Sequence, residues 1–163
     1  MQESKQEQNV QQGSDKLKES FKKYYSQKQS ESMKRALQSK RNQGYFLGNP
    51  PLGYMRSKLN DKMIIPHPDN KYLILDIFER YADGEFTLSG IADELNCSGI
   101  MTKHNKMFTH NSIYGILKNK VYVGVISSPR KACPDIIGKH SAIISKELFN
   151  KVQNRLKKHK KET

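Results

Sequence analysis

The sequence predicts an α+β fold that is mostly helical: a long N-terminal helix followed by a winged helix-turn-helix-like domain with small β-hairpins. Three observations point there. Residues 14–43 contain neither glycine nor proline, so nothing interrupts a helix. Four later segments place apolar side chains at helical spacing, three of them behind a threonine or serine able to cap. Short apolar runs bounded by turn residues supply the strand pairs.

Taken in order, residues 1–13 are rich in Gln, Glu and Ser, with Val10 the one apolar side chain beyond Met1. Such a stretch buries too little to offset ordering entropy and is expected to be disordered. Residues 14–44 form the long basic helix, with nine Lys/Arg against three Asp/Glu. Its sparse apolar stripe is Leu17, Phe21, Tyr24 or Tyr25, Met33 and Leu37, and Gly44 closes it in the left-handed conformation. Residues 45–53 are an extended connector, because Pro50 and Pro51 lack amide hydrogens and push their predecessors out of helical geometry.

A domain over 54–158 follows. Residues 54–58 and 62–66 flank Leu59-Asn60-Asp61 as a hairpin. Pro68-Asp69 opens a helix burying Leu73, Ile74, Ile77, Phe78 and Tyr81 and ending at Gly84. Thr87 caps a short helix with Leu88, Ile91, Ala92 and Leu95 inward. After a turn-rich stretch at 102–108, Thr109 caps a helix over 110–119 that buries Ile113, Ile116 and Leu117. Residues 121–126 read as a buried strand, 129–138 as a loop and 140–144 as a returning strand. Ser145 caps a last helix through Leu148, Phe149, Val152 and Leu156, and residues 159–163 complete a basic tail that begins at Lys157.

With 163 residues the chain has room for one ordinary domain plus appendages. A net charge of +13 and a pI near 9.7 imply an anionic partner, with nucleic acid ahead of a membrane surface. No apolar run approaches the roughly 20 residues of a membrane span, and the polar start is no signal peptide, so a cytoplasmic protein is expected. Cys97 and Cys133 are too far apart for a metal-ligand pair and read as free thiols. No metal or cofactor is expected. His67 reads as structural, His104 and His110 as surface or DNA-contact residues, and His140 as the donor or acceptor of a structural hydrogen bond.

At about 100° per residue, Ile113, Ile116 and Leu117 share one arc of their helix, while His110, Asn111, Tyr114 and Lys118 share a second one. The second set offers imidazole, amide, phenol and ammonium groups that can meet base edges or phosphates. A merely solvated face is the alternative, and the preceding turn exceeds the usual three or four residues. The junction adds candidate contacts in Lys40, Arg41, Tyr45 and Phe46, with Asn49 in the connector and Arg56 in the hairpin.

Several runs together carry a resemblance. They are Lys40-Arg-Asn-Gln-Gly44-Tyr-Phe-Leu-Gly48-Asn-Pro-Pro-Leu-Gly-Tyr54; Ile77-Phe78 with Tyr81 and Gly84; Ile91-Ala92 with Leu95-Asn96 and Gly99-Ile100; Ile116-Leu117-Lys118-Asn119-Lys120-Val121-Tyr122-Val123-Gly124; and His140-Ser-Ala-Ile-Ile-Ser145 with Leu148-Phe149 and Val152. In order and spacing they resemble the recombinase domain of large serine recombinases over roughly residues 25–158. Leu52 replaces a frequent aromatic, and Lys120 stands where proline is common.

The resemblance implies sequence-specific binding of a double-stranded DNA attachment site in DNA integration and recombination. The connector would lie in the minor groove and the domain would read the major groove. It also implies a catalytic domain carrying a Tyr-x-Arg-x-Ser/Thr segment, which this chain does not match. Tyr54-Met-Arg56-Ser57 has its serine directly after the arginine and is read as a decoy, so no catalytic residue is assigned. No Cys-x-x-Cys pair follows Leu156, so the family's usual zinc ribbon is not matched. The expected state is a monomer, inactive alone. The alternatives are a subunit completing a separately encoded serine recombinase catalytic domain, or a stand-alone winged helix-turn-helix transcription regulator.

Overall fold

The structure, a computed structural model, describes residues 3–127 and 134–162, with the side chains of 16–127 and 134–158. Cys133, the first half of the loop expected over 129–138 and the side chains of residues 159–163 in the terminal basic tail lie outside these residues. The chain divides into two units, Met1–Lys40 and Arg41–Thr163.

The first unit is helical. Helix α1 spans Glu3–Asn42, so it includes residues 3–13, where disorder was expected. Glu, Gln and Lys are good helix formers, and a helix satisfies its own backbone without burying apolar surface. Leu17, Phe21, Tyr24, Tyr25, Met33 and Leu37 are all exposed. They form no single stripe: Leu17, Phe21 and Tyr24 share one arc, and Met33 and Leu37 fall about 160–200° away from Leu17. Local pairs contribute, such as the Lys28 ammonium 5.3 Å from the Tyr24 ring and Gln27 Nε2 donating to Glu31.

In the second unit, β1 (Tyr54–Arg56) and β2 (Ile64–Pro66) pair antiparallel with Met55 opposite Ile65. Helix α2 (Asn70–Asp83) ends on Gly84 in the left-handed conformation, and α3 (Leu88–Cys97) starts at Thr87, whose hydroxyl accepts from Gly90 N. Helix α4 (His110–Lys118) is followed by a single 3₁₀ turn, Lys120–Val123. The two-residue strands β3 (Val125–Ile126) and β4 (Ile136–Ile137) pair antiparallel, and α5 (Lys146–Glu162) closes the unit.

Two expectations change here. Residues 121–126 are not one strand: the Asn119 side chain accepts from Val121 N at 3.1 Å and starts a 3₁₀ turn, which Gly124 ends at φ +79°. Nor do residues 140–144 return as a strand. Ile136–Ile137 takes that place, locked by Gly138 N donating to Gly124 O at 2.8 Å, while Ile143 and Ile144 both donate their amides to Tyr122 O.

The core gathers α2, α3, α4 and α5 around Ile74, Ile77, Phe78, Ile113, Leu117 and Val152, all fully buried. An aromatic chain runs through it: His140 edge-on to Tyr54, Tyr54 stacked on Tyr122, Tyr122 against Phe78, and Phe78 on Phe149, with centroids 5.4–6.1 Å apart. His140 makes the structural bond expected of it, Nε2 to Val121 O at 2.8 Å. Helix α5 also tidies its neighbours' ends, with Gln153 donating to Leu117 O and Arg155 to Tyr81 O and Gly84 O. Among the described residues no helix is long and apolar enough to cross a membrane.

Candidate nucleic-acid interface

Helix α4 is aimed from its first turn. Thr109 and Ser112 form a reciprocal capping box. Just before it, the Asn96 amide holds the Phe108 backbone from both sides, donating to Phe108 O at 2.9 Å and accepting from Phe108 N at 2.7 Å. Phe108 is buried, so this clamp ties the start of α4 to the end of α3. With Ile113 and Leu117 buried and Ile116 packed against the core, the other arc faces outward. His110, Asn111 and Lys118 are exposed, Tyr114 is half-buried, and the Lys118 ammonium lies 5.2 Å from the Tyr114 ring. Three of the four residues are thus exposed, while Tyr114 packs in part against the core.

The turn between α3 and α4 is long but ordered by its own bonds. Ile100 N returns to Leu95 O, Thr102 N to Lys106 O, and Asn105 takes φ +52°. Lys103 Nζ then reaches Pro50 O at 3.0 Å, joining this turn to the connector.

The connector is tethered along its length. Gly44 O accepts from Lys139 N at 2.9 Å, Arg56 donates to Gly48 O, and Tyr122 Oη donates to Leu52 O at 2.9 Å. Gly53 sits at φ +86°, where an added Cβ would lie 2.7 Å from Ile74 Cγ1. The extended path predicted from the prolines is thus fastened to the domain by its carbonyls. Asn49 is exposed, and Tyr45 and Phe46 are half-buried, with the Lys139 ammonium 4.3 Å from the Tyr45 ring.

Other expected contacts sit differently. Lys40 is exposed on α1. Arg56 is half-buried and spends its guanidinium on Gly48 O and on Asp61 O at 2.8 Å. Arg41 is 6 % exposed and turned inward onto the carbonyls of Pro134 and Ile126. Lys103 and Lys139, not singled out from sequence, border the connector; only their place among turn residues hinted at it. In the Tyr54-Met-Arg56-Ser57 run, Ser57 Oγ accepts from Leu59 N as part of the hairpin turn. Among the described residues no cluster of His, Cys, Asp and Glu could hold a metal.

The family model described as Recombinase matches residues 68–159, more than half of the chain. The chain belongs to the Recombinase family. Two solved structures share the fold. One, described as "Crystal Structure of a LSR-DNA Complex", is 22% identical with a TM-score of 0.60, over 76% of this chain and 38% of that one. The other, described as "Sequence Requirements of the Listeria innocua prophage attP site", is 22% identical with a TM-score of 0.59, over 74% of this chain and 49% of that one. This recombinase-family chain thus spans less than half the length of either. No curated protein matches it.

Proposed function

We propose that this chain is the DNA-reading recombinase domain of a site-specific serine recombinase and binds a double-stranded attachment site in the cytoplasm. Helix α4 enters the major groove with His110, Asn111, Tyr114 and Lys118, and the connector follows the adjoining minor groove with Tyr45, Phe46 and Asn49. Lys40 adds phosphate contact, and Arg56 shapes the bend at Gly48. The observation that carries this reading is the joint fastening of α4 and the connector: the Asn96 clamp aims one, the Lys103–Pro50 bond ties the other to the same turn. The net charge of +13 and the DNA complex named for a solved structure of the same fold support it.

The test is a gel-shift series on duplexes that the protein selects from a random pool, set against the unselected pool, across salt concentrations. Selected duplexes should bind at least about 10³-fold more tightly, with affinity falling steeply as salt rises. Equal affinity for both pools rejects the sequence-specific reading.

A second reading concerns α1. Its exposed Leu17, Phe21 and Tyr24 suit a catalytic-domain partner, which the monomeric chain would complete for strand exchange. Mixing the chain with a serine recombinase catalytic domain and paired sites should then yield recombinant product; absence of product counts against it. Light scattering should show a monomer without DNA.

A further inference from the structure

Arg41 carries a charge that the proposed interface does not need. Its Nη2 donates to Pro134 O at 2.9 Å and lies 3.4 Å from Ile126 O, so one guanidinium nitrogen joins both arms of the β3–β4 hairpin. Burying a guanidinium is costly unless acceptors are held for it; here both carbonyls meet the same nitrogen, while Nε and Nη1 are buried with no partner among the described residues. The surrounding joint is made of backbone. Lys139 N donates to Gly44 O at 2.9 Å, and Gly44, at φ +81°, leaves no room for a Cβ, which would sit 2.9 Å from Ile137 O. The Lys139 ammonium covers the Tyr45 ring. Positions 41, 44 and 45 are thereby seated on three points of one hairpin.

We infer that Arg41 is a positioning residue: it seats the start of the connector on the β3–β4 hairpin, presenting Tyr45 and Phe46 to DNA, and touches no phosphate itself. The consequence for binding rests on the DNA-reading function proposed above, whereas the seat itself is measurable without DNA. In the unaltered protein, phenylglyoxal should modify Arg41 at least about tenfold more slowly than exposed Arg35, as burial of the guanidinium requires. Equal rates overturn the inference.

With sheared duplex DNA as the probe, Arg41→Gln should weaken binding while leaving the slope of log affinity against log salt unchanged. Lys118→Gln should make that slope shallower by about 0.9, the signature of one lost phosphate contact. Gly44→Ala, which removes no charge, should reproduce the Arg41→Gln loss and stands in for it should Arg41→Gln not fold. A shallower slope in Arg41→Gln, or full affinity in Gly44→Ala, overturns the inference. Tyr45→Ala should cost affinity in the unaltered chain but add less than about twofold in the Arg41→Gln background, because coupled positions are non-additive. Additive losses, or no loss from Tyr45→Ala alone, also overturn it. Failure of the unaltered chain to bind DNA would instead remove the proposed function and leave the phenylglyoxal result standing.

Discussion

Tyr54 closes the first hairpin strand into the core and spends its hydroxyl there, donating to Ser141 O at 2.8 Å. Tyr54→Phe keeps the stack on Tyr122 but strands a carbonyl, so urea unfolding should show a loss of about 1–3 kcal/mol with an unchanged m-value. Burial also raises the Tyr54 and Tyr122 phenols above their ordinary range. The unfolded chain then releases these protons at a pH where the folded protein still holds them. Stability from this source is intact below about pH 10 and falls as pH climbs past it; Tyr122→Phe should flatten that fall in denaturation curves taken between about pH 8 and 11. Position 41 shows why some residue roles are hidden in a sequence. In the motif it looks like one more cation on a basic helix, but its carbonyl partners lie 85 and 93 residues away, and no local pattern signals that.

Elements defined by their own caps were legible: Thr87, Gly84 and Thr109 bound helices where periodicity and capping chemistry agreed. The run Val121-Tyr122-Val123 was not, since an unbroken apolar stretch has no period and a 3₁₀ turn buries it as well as a strand does. Asn119 and Gly124 decide between the two, and either could have flagged the turn. The same applies to α4, whose faces could be read from its spacing while its anchoring could not. Asn96 looked like an unremarkable polar residue near a helix end. Asn96→Ala should cost about 1–3 kcal/mol in chemical denaturation, because it leaves the buried Phe108 amide and carbonyl unpaired. Asn111→Ala, on the exposed arc, should leave stability within about 0.5 kcal/mol. It should relax base preference at one position of the selected site by about 1–3 kcal/mol, read by competition gel shift.

Across the whole molecule the charge is not evenly spread. Seven of the sixteen acidic residues lie between Asp69 and Glu94, accompanied only by Lys71 and Arg80 among the bases. Part of this acidity is spent on structure, in the Asp76–Arg80–Glu94 ion-pair cluster that links α2 to α3, while Glu79, Glu85 and Asp93 remain exposed. The α2–α3 segment therefore carries net negative charge within a basic chain, part of it met by Lys151 of α5, which pairs with Asp83 at 3.0 Å. The bond from Lys103 to Pro50 carries a last consequence. In the DNA-reading mode proposed above, that bond helps hold the connector and the turn leading into α4 at a set gap, as a caliper holds its two jaws. One extra base pair between the two contact points moves them about 3.4 Å along the duplex axis and about 35° around it. Selected duplexes carrying such an insertion should lose most of their advantage over the random pool in gel shifts, whereas Lys103→Ala, which frees one jaw, should narrow that difference.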